Sequence, residues 1–238
     1  MLVVLGHEGL GQIIQIGKGV STDHASSPIA IGDVVYWNPI RPCNSCYDCT
    51  VTQNSTACNH ATFWSPANQA QVWASYTKIA TLLPNNSFYR VDQRVPLDAY
   101  IALGCALPTM LQAVEALGGI CHGCTVVVQG AGPVGLAAVM LSKLSGAEHI
   151  VCIEGNKLRL EMARRFSATI PVDMGSPEYS DMGMRGKYIS RAVGERGVNL
   201  VTECSGNVGA FQEGMSLLAP SGKYLLVGKS SHHCSSYT

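Results

Sequence analysis

Val126-Val127-Val128-Gln129-Gly130-Ala131-Gly132-Pro133-Val134-Gly135 is the stretch on which the fold turns. Four residues of strand-forming character run into G-x-G-x-x-G, and Pro133 with the apolar run from Leu136 opens a helix immediately after. Each glycine in that spacing serves a separate purpose. Gly130 permits the tight turn, Gly132 lets the backbone approach a pyrophosphate, and Gly135 lets helix and strand pack closely. The unpaired N-H groups and positive end of the helix at Pro133 and Val134 then face the phosphates. The second strand ends at Glu154, 19 residues after Gly135. There a carboxylate accepts hydrogen bonds from the adenosine ribose and repels a 2′-phosphate, which favours NAD over NADP; Lys157 and Arg159 just beyond soften that preference.

Downstream of this turn the pattern alternates. Strands are expected at Thr125 to Gln129, His149 to Ile153, Thr169 to Val172, Val198 to Glu203 and Gly222 to Val227. Helices fit between them at Gly132 to Ser145, Lys157 to Ser167, Ser180 to Val193 and Val208 to Leu218. Strands apolar along their whole length belong in a parallel sheet covered on both faces. Upstream the pattern is different: short runs at Ile13 to Ile16, Val34 to Trp37, Val72 to Tyr76 and Ile79 to Leu83 read as strands, broken by turns at Gly17-Lys18-Gly19, Gly32-Asp33 and Pro84-Asn85-Asn86. A helical connector is expected over Leu97 to Leu117. The fold class is α/β: a β-rich domain over 1–118, then a doubly wound Rossmann-type parallel sheet over 119–238.

Composition fits this two-domain reading. The 238 residues suffice for one large or two small domains, and only 13% are charged against 47% hydrophobic, well below the roughly 25% charged share of an average soluble domain. Lys+Arg and Asp+Glu both number 16, so the electrostatic drive for nucleic-acid or membrane-surface binding is missing, and neither is an expected partner. Apolar runs fall far short of the ~20 residues of a membrane span, and Met1 to Leu5 has no basic segment of a signal peptide. A cytoplasmic location is expected, in which the ten cysteines serve as metal ligands or buried thiols rather than disulfides.

Four of those cysteines form C-x2-C-x2-C-x8-C: Cys43, Cys46, Cys49 and Cys58. Four thiolates this close in sequence wrap one Zn2+ tetrahedrally, and turn-forming neighbours Pro42, Asn44, Ser45, Asp48 and Asn59 let the loop fold inward. Such a site leaves no position for substrate and is structural, a lobe spanning 41–60. His60 could replace a thiolate but reads better as a surface residue. Gly6-His7-Glu8-Gly9 and Gly104-Cys105 are each unremarkable alone; a His beside a Glu is usually a satisfied polar pair, and a Cys in an apolar stretch is usually core.

Taken in order, these motifs resemble the zinc-dependent medium-chain alcohol dehydrogenases. The resemblance runs from Gly-His-Glu at 6 to 8 through Gly32-Asp33-Val34-Val35, the four-Cys lobe, Gly104-Cys105 with Thr109, the Gly130 turn, Glu154 and Glu203-Cys204-Ser205-Gly206 to Gly222–Gly228, and covers roughly residues 2 to 228. It implies a GroES-like first domain and a site in the cleft between the halves. It also implies that His7 and Cys105 are ligands of a catalytic zinc, with Glu8 the acid beside it and Thr109 near the nicotinamide. The substrate class implied is a small alcohol or carbonyl compound, interconverted by hydride transfer with NAD.

Two departures qualify the match. Family members carry a further zinc-binding Cys upstream of the Gly-His-Glu motif, in a segment this sequence does not include, and the stretch from Lys229 reads as an unrelated ending. The expectation is a chain truncated at both ends, and the alternative to an active enzyme is a remnant that keeps the structural zinc and nucleotide fold but turns over nothing. A zinc-free quinone or enoyl reductase is disfavoured by the four-Cys lobe. Cys121 and Cys124, in Cys121-His122-Gly123-Cys124, match a surface turn and read as inert thiols. Relatives form dimers or tetramers, so a homo-oligomer is implied as a possible assembly and left open.

Overall fold

In the computed structural model, residues 5–62, 74–194 and 196–228 are described. The chain divides into two compact units, 1–105 and 106–238. The expected boundary at 118/119 lies later than this division, because the helix that begins at Ala106 packs against the first helix of the nucleotide half and counts with it.

The second unit is built on β4 (Thr125–Gln129), β5 (His149–Glu154), β6 (Ile170–Asp173), β7 (Val198–Glu203) and β8 (Leu218–Leu226). They form one sheet in the order β6-β5-β4-β7-β8, every neighbouring pair parallel. Because a strand's side chains alternate faces, the continuous apolar runs divide between two cores. Val126, Val128, Ile150 and Cys152 pack with Met110, Ala137, Ala138 and Ala163, which come from α2 (Ala106–Ala116), α3 (Pro133–Leu144) and α4 (Lys157–Arg165). Val127, Val151, Ile153 and Val201 pack instead with Ile189 and Val193 of α5 (Met182–Val193) and with Leu217 of α6 (Val208–Leu217). Both faces are covered, as the uninterrupted hydrophobicity required.

The helices begin where short polar side chains close their free N-H groups. Asn156 accepts from the Leu158 and Arg159 amides, Asp181 from Met184, and Asn207 from Gly209, the usual work of an N-cap. α3 differs: Gly132 stands at its N-cap with no capping side chain and Pro133 follows at the first turn, so its amides remain open to a ligand. α6 ends at Leu217, and β8 runs from Leu218, four residues before the start expected at Gly222.

The first unit contains a three-stranded antiparallel sheet, β1 (Gly9–Gln12), β2 (Val34–Trp37) and β3 (Phe88–Arg90), in that order. The strand expected at Ile13 to Ile16 is displaced to β1. Gly9 pairs with Trp37, and a Cβ at Gly9 would stand 2.1 Å from the indole, so the aromatic ring needs a glycine-bearing strand beneath it and the register follows. Ile79 to Leu83 forms no strand, whereas Phe88–Arg90, too short to stand out in sequence, does. Of the strand expected at Val72 to Tyr76, residues 72 and 73 lie outside the described residues; Ser75 and Tyr76 are bends whose amides donate to the carbonyls of Gly6 and Leu5. The connector expected over Leu97 to Leu117 is two elements, a 3-10 helix (Leu97–Leu103) and then α2, separated at Gly104-Cys105. Asp23, buried, clamps a loop to β3 by accepting from the amides of Ala25, Ser27 and Arg90.

Candidate zinc and dinucleotide sites

The cysteine lobe is a closed loop. At its neck Arg41 and Thr62 exchange both backbone hydrogen bonds, at 2.9 Å each. One helical turn, α1 (Tyr47–Thr50), starts at Cys46 and holds Cys49, and a 3-10 turn (Ser55–Ala57) delivers Cys58. Asn44 and Gln53 take left-handed backbone conformations, φ 55° and 54°, which Asn tolerates better than most residues. All four sulfurs lie within 4.8 Å of one another. The separations are 3.6 Å for Cys46–Cys49, 3.8 Å for Cys46–Cys58 and 3.6 Å for Cys43–Cys58. A tetrahedron with arms of about 2.3 Å has edges of about 3.8 Å, so the cage has the size of a Zn2+ tetrathiolate. The distances are far too long for disulfides, whose sulfurs are about 2 Å apart. Backbone amides also aim at the sulfurs: Cys46 and Ser45 donate to Cys43 Sγ at 3.3 and 3.5 Å, and Cys43 donates to Cys58 Sγ at 3.4 Å. Donation from the Ser45 side chain and backbone holds the Cys43 thiol down at about 5, whereas burial and the neighbouring thiols push Cys49 up to about 12. His60 is exposed and stands outside the group.

His7, Glu8 and Cys105 form the second cluster, with one ligand atom of each within 4.8 Å of the others. The segments that carry them are far apart in sequence and meet at a glycine. A Cβ at Gly104 would stand 3.1 Å from the Glu8 backbone and 3.2 Å from its Cβ, so a larger residue there would force the two segments apart by a few tenths of an ångström. Gly6 holds the other side with φ 93°, and a Cβ there would strike Ser75 and Tyr76. One imidazole nitrogen, one carboxylate oxygen and one thiol make a donor set that suits Zn2+ with an open position. His7 and Glu8 are exposed and Cys105 is half-buried. Thr109 is exposed in the first turn of α2.

The glycine turn adopts the geometry its spacing demands. Gly130 has φ 93°, and its amide continues the ladder to the Ile153 carbonyl at 2.8 Å. A Cβ at Gly135 would stand 1.9 Å from the Gly130 carbonyl oxygen, while one at Gly132 would meet nothing within 4 Å: Gly135 is there for packing and Gly132 for access. A crevice of about 370 Å³ opens at this turn, at the carboxyl ends of β4, β5 and β7, where a doubly wound sheet binds ligands. Gly130, Gly132, Glu154 and Arg159 line it. Pro133 is exposed and Val134 half-buried in the first turn of α3. Glu154 spans the crevice mouth: one carboxylate oxygen accepts from the Ala131 amide at 2.8 Å, the other from Gly155 and Asn156 at 2.8 Å each.

Three supporting groups were not assigned roles from sequence. Gln129 is buried, donating to the Ala210 carbonyl and accepting from the Tyr224 hydroxyl. Glu203, 1% exposed, accepts from the Ser205 amide and hydroxyl and from the Gly206 amide, and so fixes the turn after β7. Arg185 of α5 and Glu213 of α6 form a buried ion pair at 2.6 Å. No sequence signal marks Gln129 or the ion pair; Glu203 lay in a recognisable Glu-Cys-Ser-Gly motif. Burial pushes the Cys152 and Cys204 thiols up to about 12, so neither is a thiolate at neutral pH. Cys121 is exposed and Cys124 buried in a turn closed by the Cys124 amide on the Cys121 carbonyl, and burial raises the Cys124 thiol. Among the described residues, no helix is long and apolar enough to cross a membrane.

Residues 1–92 match the family model for the alcohol dehydrogenase GroES-like domain, and residues 133–238 match the model for the zinc-binding dehydrogenase domain. The 5-exo-hydroxycamphor dehydrogenase of Pseudomonas putida is 41% identical over 95% of this chain and 61% of its own length. The L-threonine 3-dehydrogenase of Bacillus subtilis is 28% identical over 96% of this chain and 60% of its own. Among solved structures, an alcohol dehydrogenase of Thermotoga maritima superposes with a TM-score of 0.87 at 26% identity, covering 98% of this chain and 64% of that one. The chain belongs to the zinc-dependent medium-chain alcohol dehydrogenase family. It spans about 60% of the length of the curated relatives it matches.

Proposed function

We propose that this chain is the core of an oxidoreductase that interconverts a small alcohol and its carbonyl compound by hydride transfer with NAD. The observation that carries the reading is the meeting of His7, Glu8 and Cys105 within 4.8 Å: an imidazole, a carboxylate and a thiol from distant segments, in a chain that also carries a dinucleotide-type glycine turn. Zinc held there supplies Lewis acidity to an alcohol or carbonyl oxygen.

The chain's own residues do the rest. His7, Glu8 and Cys105 hold the metal. The amides at the Gly132-Pro133-Val134 end of α3 bind the pyrophosphate, and Gly132 leaves the space for it. Glu154 gives up its bond to the Ala131 amide, accepts from the ribose hydroxyls instead, and disfavours a 2′-phosphate, so NAD is preferred to NADP. Arg159 lies on the crevice wall beside it. Thr109 offers a hydroxyl near the nicotinamide. Cys43, Cys46, Cys49 and Cys58 hold a second, structural zinc that fixes the lobe and takes no part in the reaction. Those thiols must stay reduced, which fits a cytoplasmic location.

The test is NADH formation from NAD and a panel of secondary alcohols that includes hydroxycamphor and threonine. The expected result is turnover of at least one alcohol, lost in His7→Ala by a factor of about a thousand. Equal rates in the variant would reject the metal-site assignment.

A further inference from the structure

The buried pair Arg185–Glu213 plays no part in metal binding or in holding the pyrophosphate and ribose, yet both residues line the crevice at the glycine turn. A buried ion pair is a costly way to join two helices: hydrophobic residues of the same volume are often neutral or more stabilising, because two charges must be taken out of water. The pair's geometry suggests another use. The Arg185 side chain is 3% exposed; its Nε donates to Glu213 Oε1 at 2.6 Å, and its Nη1 donates to the carbonyls of Tyr179 and Ser180 at 2.6 and 3.1 Å. That engages three of the five N-H groups of a guanidinium. The two on Nη2 have no partner among the described residues. The plane of the fork is fixed from two sides, by α6 and by the loop before α5, so the free donors cannot rotate away.

Which part of a dinucleotide reaches them follows from the strand order. The pyrophosphate belongs to the turn after β4, and the ribose to Glu154 at the end of β5. The next strand outward is β6, which Met174 directly follows; Met174 and Met182, both well exposed, line the same crevice as Arg185. Two polarisable thioether side chains suit the faces of a planar ring, and an anchored donor suits a ring nitrogen. We propose that Arg185 selects the purine end of the cofactor: its Nη2 donates to a ring nitrogen of adenine, and Glu213 is the positioning residue that aims it. This rests on the crevice being a dinucleotide site.

Two full-length variants test it: Arg185→Lys, which keeps a counter-ion for Glu213 but loses the fork, and the double variant Arg185→Met with Glu213→Gln, which removes both charges at similar volume. Binding of NADH and of reduced nicotinamide mononucleotide, which has no adenine, is measured by fluorescence titration, alongside a thermal melt. Loss of a charge-assisted hydrogen bond is expected to weaken NADH by about 10- to 100-fold and to leave the mononucleotide unchanged within about twofold. Folded variants that bind NADH as the parent does would overturn the proposal, as would equal weakening of both ligands, which marks a purely structural pair. A parent protein that binds neither ligand would instead overturn the dinucleotide reading.

Discussion

The two candidate metal clusters of the first unit are built on opposite plans. Cys43, Cys46, Cys49 and Cys58 come from one short loop that closes on itself at the Arg41–Thr62 bridge, and all four are the same donor type. His7, Glu8 and Cys105 come from the two ends of the unit, are of three donor types, and meet where Gly104 lies close against Glu8. A closed set of identical soft ligands holds a metal and offers it nothing else to do; an open set of mixed ligands leaves a position for a reactant. Removing a ligand should therefore have different consequences in the two places.

The largest effect is expected in the lobe. Cys46→Ser removes a sulfur that lies within 3.8 Å of two others. It should release one zinc per chain and destabilise the first unit by several kcal/mol, since structural zinc binding is folding energy; metal analysis and a thermal melt read both. Next is Gly135→Val, whose Cβ cannot coexist with the Gly130 carbonyl oxygen. It should abolish NADH binding in a titration and cost about 3 kcal/mol or more in denaturant unfolding, with the lobe's zinc retained. At the open cluster, His7→Ala should remove activity and one zinc while destabilising the unit far less than Cys46→Ser does, because the side chain is exposed and the loop that carries it does not depend on the metal to close. A large loss of stability there would erase the contrast between the clusters.

The smallest expected effect depends on pH. Burial alone would raise the Asp23 carboxyl, but the amides of Arg90, Ser27 and Ala25 outweigh it and hold it below the usual carboxylate value. A carboxyl depressed on folding stabilises above its unfolded value, about 3.9, and that contribution disappears as pH falls through the folded one. Asp23→Asn should cost about 1 to 3 kcal/mol at neutral pH, and the gap to the parent should close below about pH 4 in parallel melts. A gap that persists at low pH would show that the second acceptor oxygen, and not the charge, clamps the loop.

The same contrast explains what could be read in the sequence. The lobe and the glycine turn are local: their chemistry sits in consecutive residues, so Cys43 to Cys58 and Gly130 to Gly135 declare themselves by spacing, and Glu154 arrives one strand later on a fixed schedule. The strands of the second unit were legible because both their faces are covered. The open cluster was visible only through resemblance to a family, since nothing in Gly6-His7-Glu8 points to Cys105. In the first unit, β1 carries glycines at positions 9 and 11, the first of which makes room for Trp37, so it lacks the apolar signal that Ile13 to Ile16 falsely offered. The Arg185–Glu213 pair joins two helices whose surfaces read as ordinary, and only their packing brings the charges together.

The most direct measurement is the zinc content of the purified protein beside that of His7→Ala. Two metal ions per parent chain and one per variant chain, with the remaining ion lost only when a lobe cysteine is replaced, is the result expected. The same content in parent and variant would contradict the division of the first unit into a metal site that supports the fold and a metal site that works on an alcohol.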